Sequence, residues 1–514
     1  MARYKDYSYE QTKLIPVSYD KQIIEGTFEY ALNEIIDEMD LTRFEDRYHN
    51  DDTGAPAYDP AILLKVILFA YSRGIMTSRE IAQACTENVT FMALSADTRP
   101  HFTTIANFVS SLKDEIANLF AAVLTVCASE GLIGRSMFAV DGCKISSNCS
   151  KEWSGSRVSF ESKKRNLEYA IRRLVKKHRR MDLRDNESRQ IVKKERESVR
   201  RLRAKVEKLK EWMKDNDDKR GPTGNIKQSN VTDNESAKMP TGHGVIQGYN
   251  GVAMADAKRQ VVVAAEAFGE GQENGLLLPM VEATRENFAA IGEEKDVFEE
   301  AKLLADAGYH SEKNMEALAA EGIDAYVADN KFRKRDPAFL NAAAHKRPID
   351  RKGTIRKARW FKPSDFEVAP DGGRLTCPAG NTLYVKNSNY RTPDGVHGTQ
   401  YAGWKTKCRA CGMRSQCLRK ATTEVRQVVI FRDTPGVRGE HTKKMIEKFD
   451  TAKGRFWYSR RMGIIEPVFA HIRHRLGLDY FTLRGKAKVD IQWKLYCMTH
   501  NIKKLFRYAP RFAC

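Results

Sequence analysis

The sequence lacks any unbroken apolar run of the roughly 18 residues that a membrane span requires. Its best stretch, Ala61 to Tyr71, is interrupted by Lys65. The first residues, Met1 to Asp20, are polar and of mixed charge, without the apolar core of a secretory signal. Cysteine is sparse, with 10 in 514 residues, which argues against a disulfide framework and fits a reducing cytosol. Acid is short against base. The 87 Lys and Arg outnumber 67 Asp and Glu, leaving +20 and favouring a polyanionic partner, nucleic acid first and an anionic membrane surface second. No internal repeat is evident. Hydrophobic residues make up 41%, which is enough for a full core and argues against global disorder.

Residues 1–130 read as a helical bundle. Asp59-Pro60 opens an apolar-periodic helix that Gly74 ends, and Thr77-Ser78-Arg79-Glu80 has the form of a capping box. Short helices at tight spacing, with Arg73, Arg79 and Arg99 nearby, suggest a helix-turn-helix DNA-binding domain; a plain helical cap is the alternative. Residues 137–145 read as a buried strand. Over 157–218 Lys, Arg and Glu dominate, and Val199, Leu202, Val206, Leu209 and Met213 form a coiled-coil seam. The pattern predicts a helical hairpin insertion turning near Asp185 to Ser188. It could pair subunits, lie along DNA, or stand free in solvent.

Residues 219–243 read as a loop. Val245 to Ala255 and Gln260 to Ala267 should form a β-hairpin. A helix over Asn274 to Asn287, a strand over Lys302 to Asp306, a helix capped by Ser311 and a strand over Asp324 to Ala328 follow. This order predicts an α/β fold: a mixed sheet with helices on both faces. It spans 131–330 and resumes at 433–514. The intervening 331–432 is a basic, Cys-rich insertion. There Cys377, Cys408, Cys411 and Cys417 suggest a zinc-ribbon-like Cys₄ Zn²⁺ site stapling a segment too polar for its own core. An iron–sulfur cluster or free thiols are the alternatives.

Asp141 and Asp306 each close an apolar run, Met137 to Val140 and Leu303 to Ala305, so both should project from one sheet edge. Glu466 lies in a helical stretch, Tyr458 to Leu476, with Phe469 and Arg473 at i+3 and i+7 on its face. Three carboxylates in a basic protein point to divalent-metal chemistry on a phosphate backbone, with two Mg²⁺ ions activating one oxygen and stabilising another. His471 and His474 read as phosphate-facing rather than metal-binding.

The segments around these residues carry a resemblance. Val140-Asp141-Gly142-Cys143-Lys144-Ile145 with Asn148, Gly248-Tyr249-Asn250-Gly251, and Leu304-Ala305-Asp306-Ala307-Gly308-Tyr309 are similar to segments of bacterial insertion-sequence transposases of the DDE class. Tyr458, Arg461, Glu466 and Arg473 resemble the Tyr-Arg-Glu-Lys signature of one such group. Here four residues separate Arg461 from Glu466 where three are usual, and Arg473 replaces the final Lys. The resemblance implies a ribonuclease H-like catalytic domain with Asp141, Asp306 and Glu466 holding Mg²⁺ or Mn²⁺, and with Tyr458, Arg461 and Arg473 on DNA. It also implies cleavage and strand transfer at element ends, a homodimer on double-stranded DNA, no membrane partner, and a place in the bacterial cytoplasm at the nucleoid. A ribonuclease H-like nuclease that cuts without joining, or a non-enzymatic DNA-binding protein, are the competing readings.

Overall fold

A computed structural model describes residues 10, 16–47, 56–181, 188–221, 224, 226–242, 244–339, 360–391, 397–420, 422–431 and 439–512. They fall into two compact units, Met1–Asn330 with Met445–Cys514, and Lys331–Lys444.

The larger unit is built on a mixed sheet. Its strands are β1 (Met137–Ser146), β2 (Ala237–Thr241), β3 (Gly244–Asp256), β4 (Val262–Phe268), β5 (Lys302–Ala305) and β6 (Asp324–Val327). The order runs β2-β3-β1-β5-β6, and β4 also pairs with β3. β1 is antiparallel to β3 and parallel to β5, and β5 is parallel to β6. The expected α/β class with a mixed sheet therefore holds. β2 lies within the stretch read as loop. Its one buried residue, Met239, gave too little apolar signal to register.

Helices cover both faces. Thr284 of α9 (Leu277–Ala290) meets Met254 Sδ, while the Trp493 ring of α12 (Lys486–Tyr508) lies over Gly251; positions three apart on one strand point to opposite sides. Trp493 Nε1 donates to Val252 O at 2.9 Å. Gly248 pairs with Ser146 across β3 and β1, and a Cβ there would fall 2.0 Å from Ile145 O. Gly248→Ala must push the two central strands apart. We expect a loss of about 3 kcal/mol, read as a fall in the denaturant midpoint.

The N-terminal helices start where their caps dictate. Asp59 accepts from Ala61 N ahead of α2 (Pro60–Ser72), and Thr77 with Glu80 closes a capping box on α3 (Ser78–Glu87). They are not a separate body. Every residue of α2 from Leu63 to Ser72 is buried, and a helix apolar all round needs neighbours on all sides. α12 is one of them: Tyr71 stacks on Tyr496 at 4.4 Å, and Phe28 of α1 (Phe28–Asp37) meets Phe506 at 5.9 Å. One hydrophobic core thus runs from these helices into the sheet.

Between β1 and β2 the chain runs out through α7 (Arg157–Met181) and back through α8 (Ser188–Asp215). Val199, Val206, Leu209 and Met213 are buried along the predicted seam. At the base, Trp153, Phe160, Leu209, Trp212 and Met213 form a small core. The expected turn at 185–187 lies outside the described residues.

The smaller unit holds a five-stranded antiparallel sheet in the order β11-β10-β9-β8-β7. The strands are β7 (Glu367–Val368), β8 (Arg374–Thr376), β9 (Thr382–Arg391), β10 (His397–Gly403) and β11 (Gln427–Phe431). The expectation that this segment lacks a core is corrected. Phe366, Leu375, Leu383, Tyr401 and Val428 bury one, with Cys377 and Cys417 packed against it.

Candidate active site

The parallel pairing of β1 with β5 places Met137 beside Lys302 and Val140 beside Ala305. One residue further along the same register come Asp141 and Asp306. Both lie where that ladder ends, although β1 itself continues to Ser146 in its pairing with β3. Asp141 Oδ1 accepts from Gly142 N at 2.8 Å, and Asp306 Oδ1 from Gly308 N at 2.7 Å. The two carboxylates feel each other. Burial pushes the Asp141 carboxyl up, Arg461 draws it back, and Asp306 raises it again, with a net rise.

The helix α11 (Ala452–Ala470) supplies the rest. Arg461 is buried and donates from Nη1 to Asp141 Oδ2 at 2.7 Å. Its Nη2 lies 4.0 Å from Glu466 Oε1, so one guanidinium spans the first and third acids of the expected triad. Glu466 itself is exposed. Tyr458 packs its ring on Phe449 at 4.8 Å, and the Arg461 guanidinium lies 5.8 Å from the Tyr458 ring. Arg473 interacts with the Cys143 thiol, two residues on from Asp141 and on the same strand face. Phe469 stacks on Trp493 of α12 at 6.2 Å.

α11 has an irregular end. Pro467 lacks the N–H that would reach Gly463 O. The side chain of Gln260, in the turn between β3 and β4, donates to that oxygen instead, at 3.0 Å. Beyond Ala470 the chain makes a π-helical turn, His471–Arg475. This wider turn breaks the helical phase, and His471 is not phosphate-facing: its Nδ1 lies 2.9 Å from Nδ1 of buried His500. His500 Nε2 donates to Gln260 O at 2.9 Å.

Sequence reasoning missed Glu273. A Cβ on Gly308 would fall 2.3 Å from Glu273 Oε2 and 3.0 Å from Asp306 Oδ1, so only a glycine leaves these carboxylates side by side. Asn250 Nδ2 donates to Glu273 Oε1 at 3.4 Å, and Lys144 Nζ lies 3.7 Å from it. Burial, then Asp306, pushes the Glu273 carboxyl up. Tyr309 is fully buried among Asp141, Glu273 and Asp306, and its hydroxyl has no partner; Asn250 Oδ1 has none either. Among the described residues no group of three or more His, Cys, Asp or Glu is arranged ready to hold a metal ion. At the acidic site Arg461 already takes Asp141 Oδ2. In the smaller unit Cys377, Cys408, Cys411 and Cys417 line one cavity without forming such a set.

Residues 376–506 match a transposase DDE domain, and residues 17–111 match a transposase domain, DUF772. Both matches support a transposase. The first takes in Tyr458, Arg461, Glu466 and Arg473 with the four cysteines, and the second takes in α1 to α3. Asp141 and Asp306 lie outside both. No curated protein and no solved structure matches the chain. Such a domain implies a DNA-processing enzyme, with DNA as the partner. No helix among the described residues is long and apolar enough to cross a membrane.

Proposed function

We propose that this protein is a DDE transposase of a bacterial insertion sequence. Its larger unit would be a ribonuclease H-like catalytic domain that cuts DNA at the element's ends and joins the freed 3′-hydroxyl to target DNA. The observation that carries this reading is the register of β1 on β5, which sets Asp141 beside Asp306 while Arg461 bridges Asp141 to Glu466.

Mg²⁺ or Mn²⁺ takes oxygen donors, and the acidic groups gathered at this sheet edge supply them. The unpartnered Tyr309 hydroxyl and Asn250 Oδ1 lie among carboxylates whose pKa values are raised, as expected where negative charge awaits a cation. Asp141 and Asp306 would hold the ions and Glu466 would complete the set. A bound cation would activate the attacking oxygen and stabilise the leaving one. Arg461 and Arg473 offer fixed positive charge to a phosphodiester on the same strand face, and Tyr458 braces Arg461. The thiols at 377, 408, 411 and 417 are donors suited to structural Zn²⁺, and no catalytic step depends on them. The N-terminal helices would contact the terminal inverted repeats, and a homodimer would hold two ends together, in the cytoplasm at the nucleoid.

The test is to incubate the protein with Mg²⁺ and duplexes carrying the inverted repeats that flank its coding region. We expect 3′-hydroxyl ends and joined products. Cutting without joining makes it a nuclease, and binding with no cleavage under any divalent metal overturns the enzyme assignment.

A further inference from the structure

Residues 157–215 contain 22 Lys and Arg against 10 Asp and Glu, so α7, α8 and their connection carry +12 of the chain's +20. Among the described residues little of that charge is spent on ion pairs. Arg201 pairs with Glu197, Lys210 with Glu207, Arg157 with Asp217 and Lys163 with Glu152. Arg165, Arg172, Arg173, Arg196, Arg200 and Arg203 are exposed and have no acidic partner among the described residues. The arginines also converge. Arg172 and Lys176 from α7 meet Arg203 from α8 around one cleft, and Arg196, Arg200 and Arg203 line a second beside Val175 and Val199. Gathering like charges along a seam this thin costs folding free energy, which a polyanion would return.

We propose that the α7–α8 hairpin is a second DNA-binding surface that lies along the phosphate backbone of duplex DNA, outside the active site. The proposal rests on the transposase reading for its partner. Geometry suits a duplex. At ~1.5 Å per residue, helices of 25 and 28 residues extend about 40 Å, close to one turn of B-form DNA. The arm is anchored: Arg157 N donates to Asp218 Oδ1 at 2.7 Å, and Phe160 meets Trp212 edge-on at 4.8 Å. An arm that is helical before it binds leaves less ordering entropy to oppose binding. The contacts would be to phosphates and therefore indifferent to sequence.

The experiment uses the full chain with Arg172, Arg173, Arg200 and Arg203 all changed to Gln, which leaves the buried seam intact. Binding to a random-sequence duplex of about 40 base pairs is followed by fluorescence anisotropy over a range of salt concentrations. Each phosphate contact contributes about 0.9 to the slope of log affinity against log salt, so the slope should fall by about 3 and affinity near 100 mM salt by tenfold or more. An unchanged slope in the quadruple variant overturns the proposal. So does an unchanged slope with a shift from dimer to monomer in sedimentation, which would make the arm a contact between copies. If the wild-type chain itself binds no duplex, the transposase reading fails instead.

Discussion

Asp141→Asn should abolish strand cleavage, by roughly a thousandfold or more, while leaving the fold at least as stable as in the wild type. The stability half of this expectation follows from the balance of effects on the Asp141 carboxyl. The Asp141 carboxyl is raised by burial, then lowered by Arg461 and raised by Asp306, with a net rise. A carboxyl raised in the fold contributes stability that is present below its unfolded pKa and is lost as pH rises through the folded value. The ionised form of Asp141 is therefore a burden on the apo fold, offset in part because it raises the pKa of buried Arg461. Asparagine keeps an oxygen toward Arg461 Nη1 and sheds the charge. Gel assays of cleavage and thermal melts at pH 7 read the two halves separately. Lost activity with an unchanged or higher melting temperature supports a role in the chemistry. A fall of many degrees would mean that the Asp141–Arg461 pair is chiefly structural. The wild type should also gain melting temperature with added Mg²⁺ or Mn²⁺, because a cation that binds only the folded state stabilises it, and Asp141→Asn should gain less.

Acid should destabilise the protein through the histidine pair at the end of α11. Burial lowers the pKa of His471 to about 4 and that of His500 to about 3. Lys504, Lys503 and Arg475 act in the same direction on His471, as do His471 and Lys504 on His500. Gln260 O can only accept, so His500 carries its proton on Nε2 and its Nδ1 accepts from His471 Nδ1. Both rings are neutral in the fold. Below the unfolded value of 6.5 the denatured chain takes up protons that the native chain refuses. Stability is full above that pH and falls as pH drops toward the folded values, by on the order of 3 kcal/mol or more for the pair. Urea denaturation between pH 7 and 4 measures it. His500→Gln keeps a donor for Gln260 O and removes one titrating ring, so its profile should be flatter. An equally steep profile in the variant would place the acid response elsewhere.

The legible parts of the chain were those governed by local chemistry. The helix over Pro60–Ser72, the capping box at Thr77 and the Ser311 cap are short-range patterns, and each element starts where its cap lies. Asp141 and Asp306 could be placed on one edge because each closes an apolar run, and parallel pairing then sets them in register. Glu273 could not. It stands in a Gly-rich segment, Gly269 to Gly275, that reads as a plain turn, and its neighbours come from residues 144, 250 and 306. Nor does any spacing signal that Arg461 spans Asp141 and Glu466, a contact 320 residues apart in the chain. The sheet of the smaller unit was hidden because β9 exposes much of its length and β11 is mostly half-buried, so neither shows clear alternation. His471 was misread because its partner, His500, lies on another helix and leaves no local signal.

The side chain of Gln260 has a consequence for how Glu466 is held. A proline next to this residue would ordinarily leave a hinge there, since the rung it removes is the one directly beneath. Here an amide from a different part of the chain mends that rung, and Lys504 Nζ grips the same amide at 2.8 Å. The acid is thus mounted on a splinted joint: the turn between two strands and the final helix together stiffen the bend where a flexible one would let it drift.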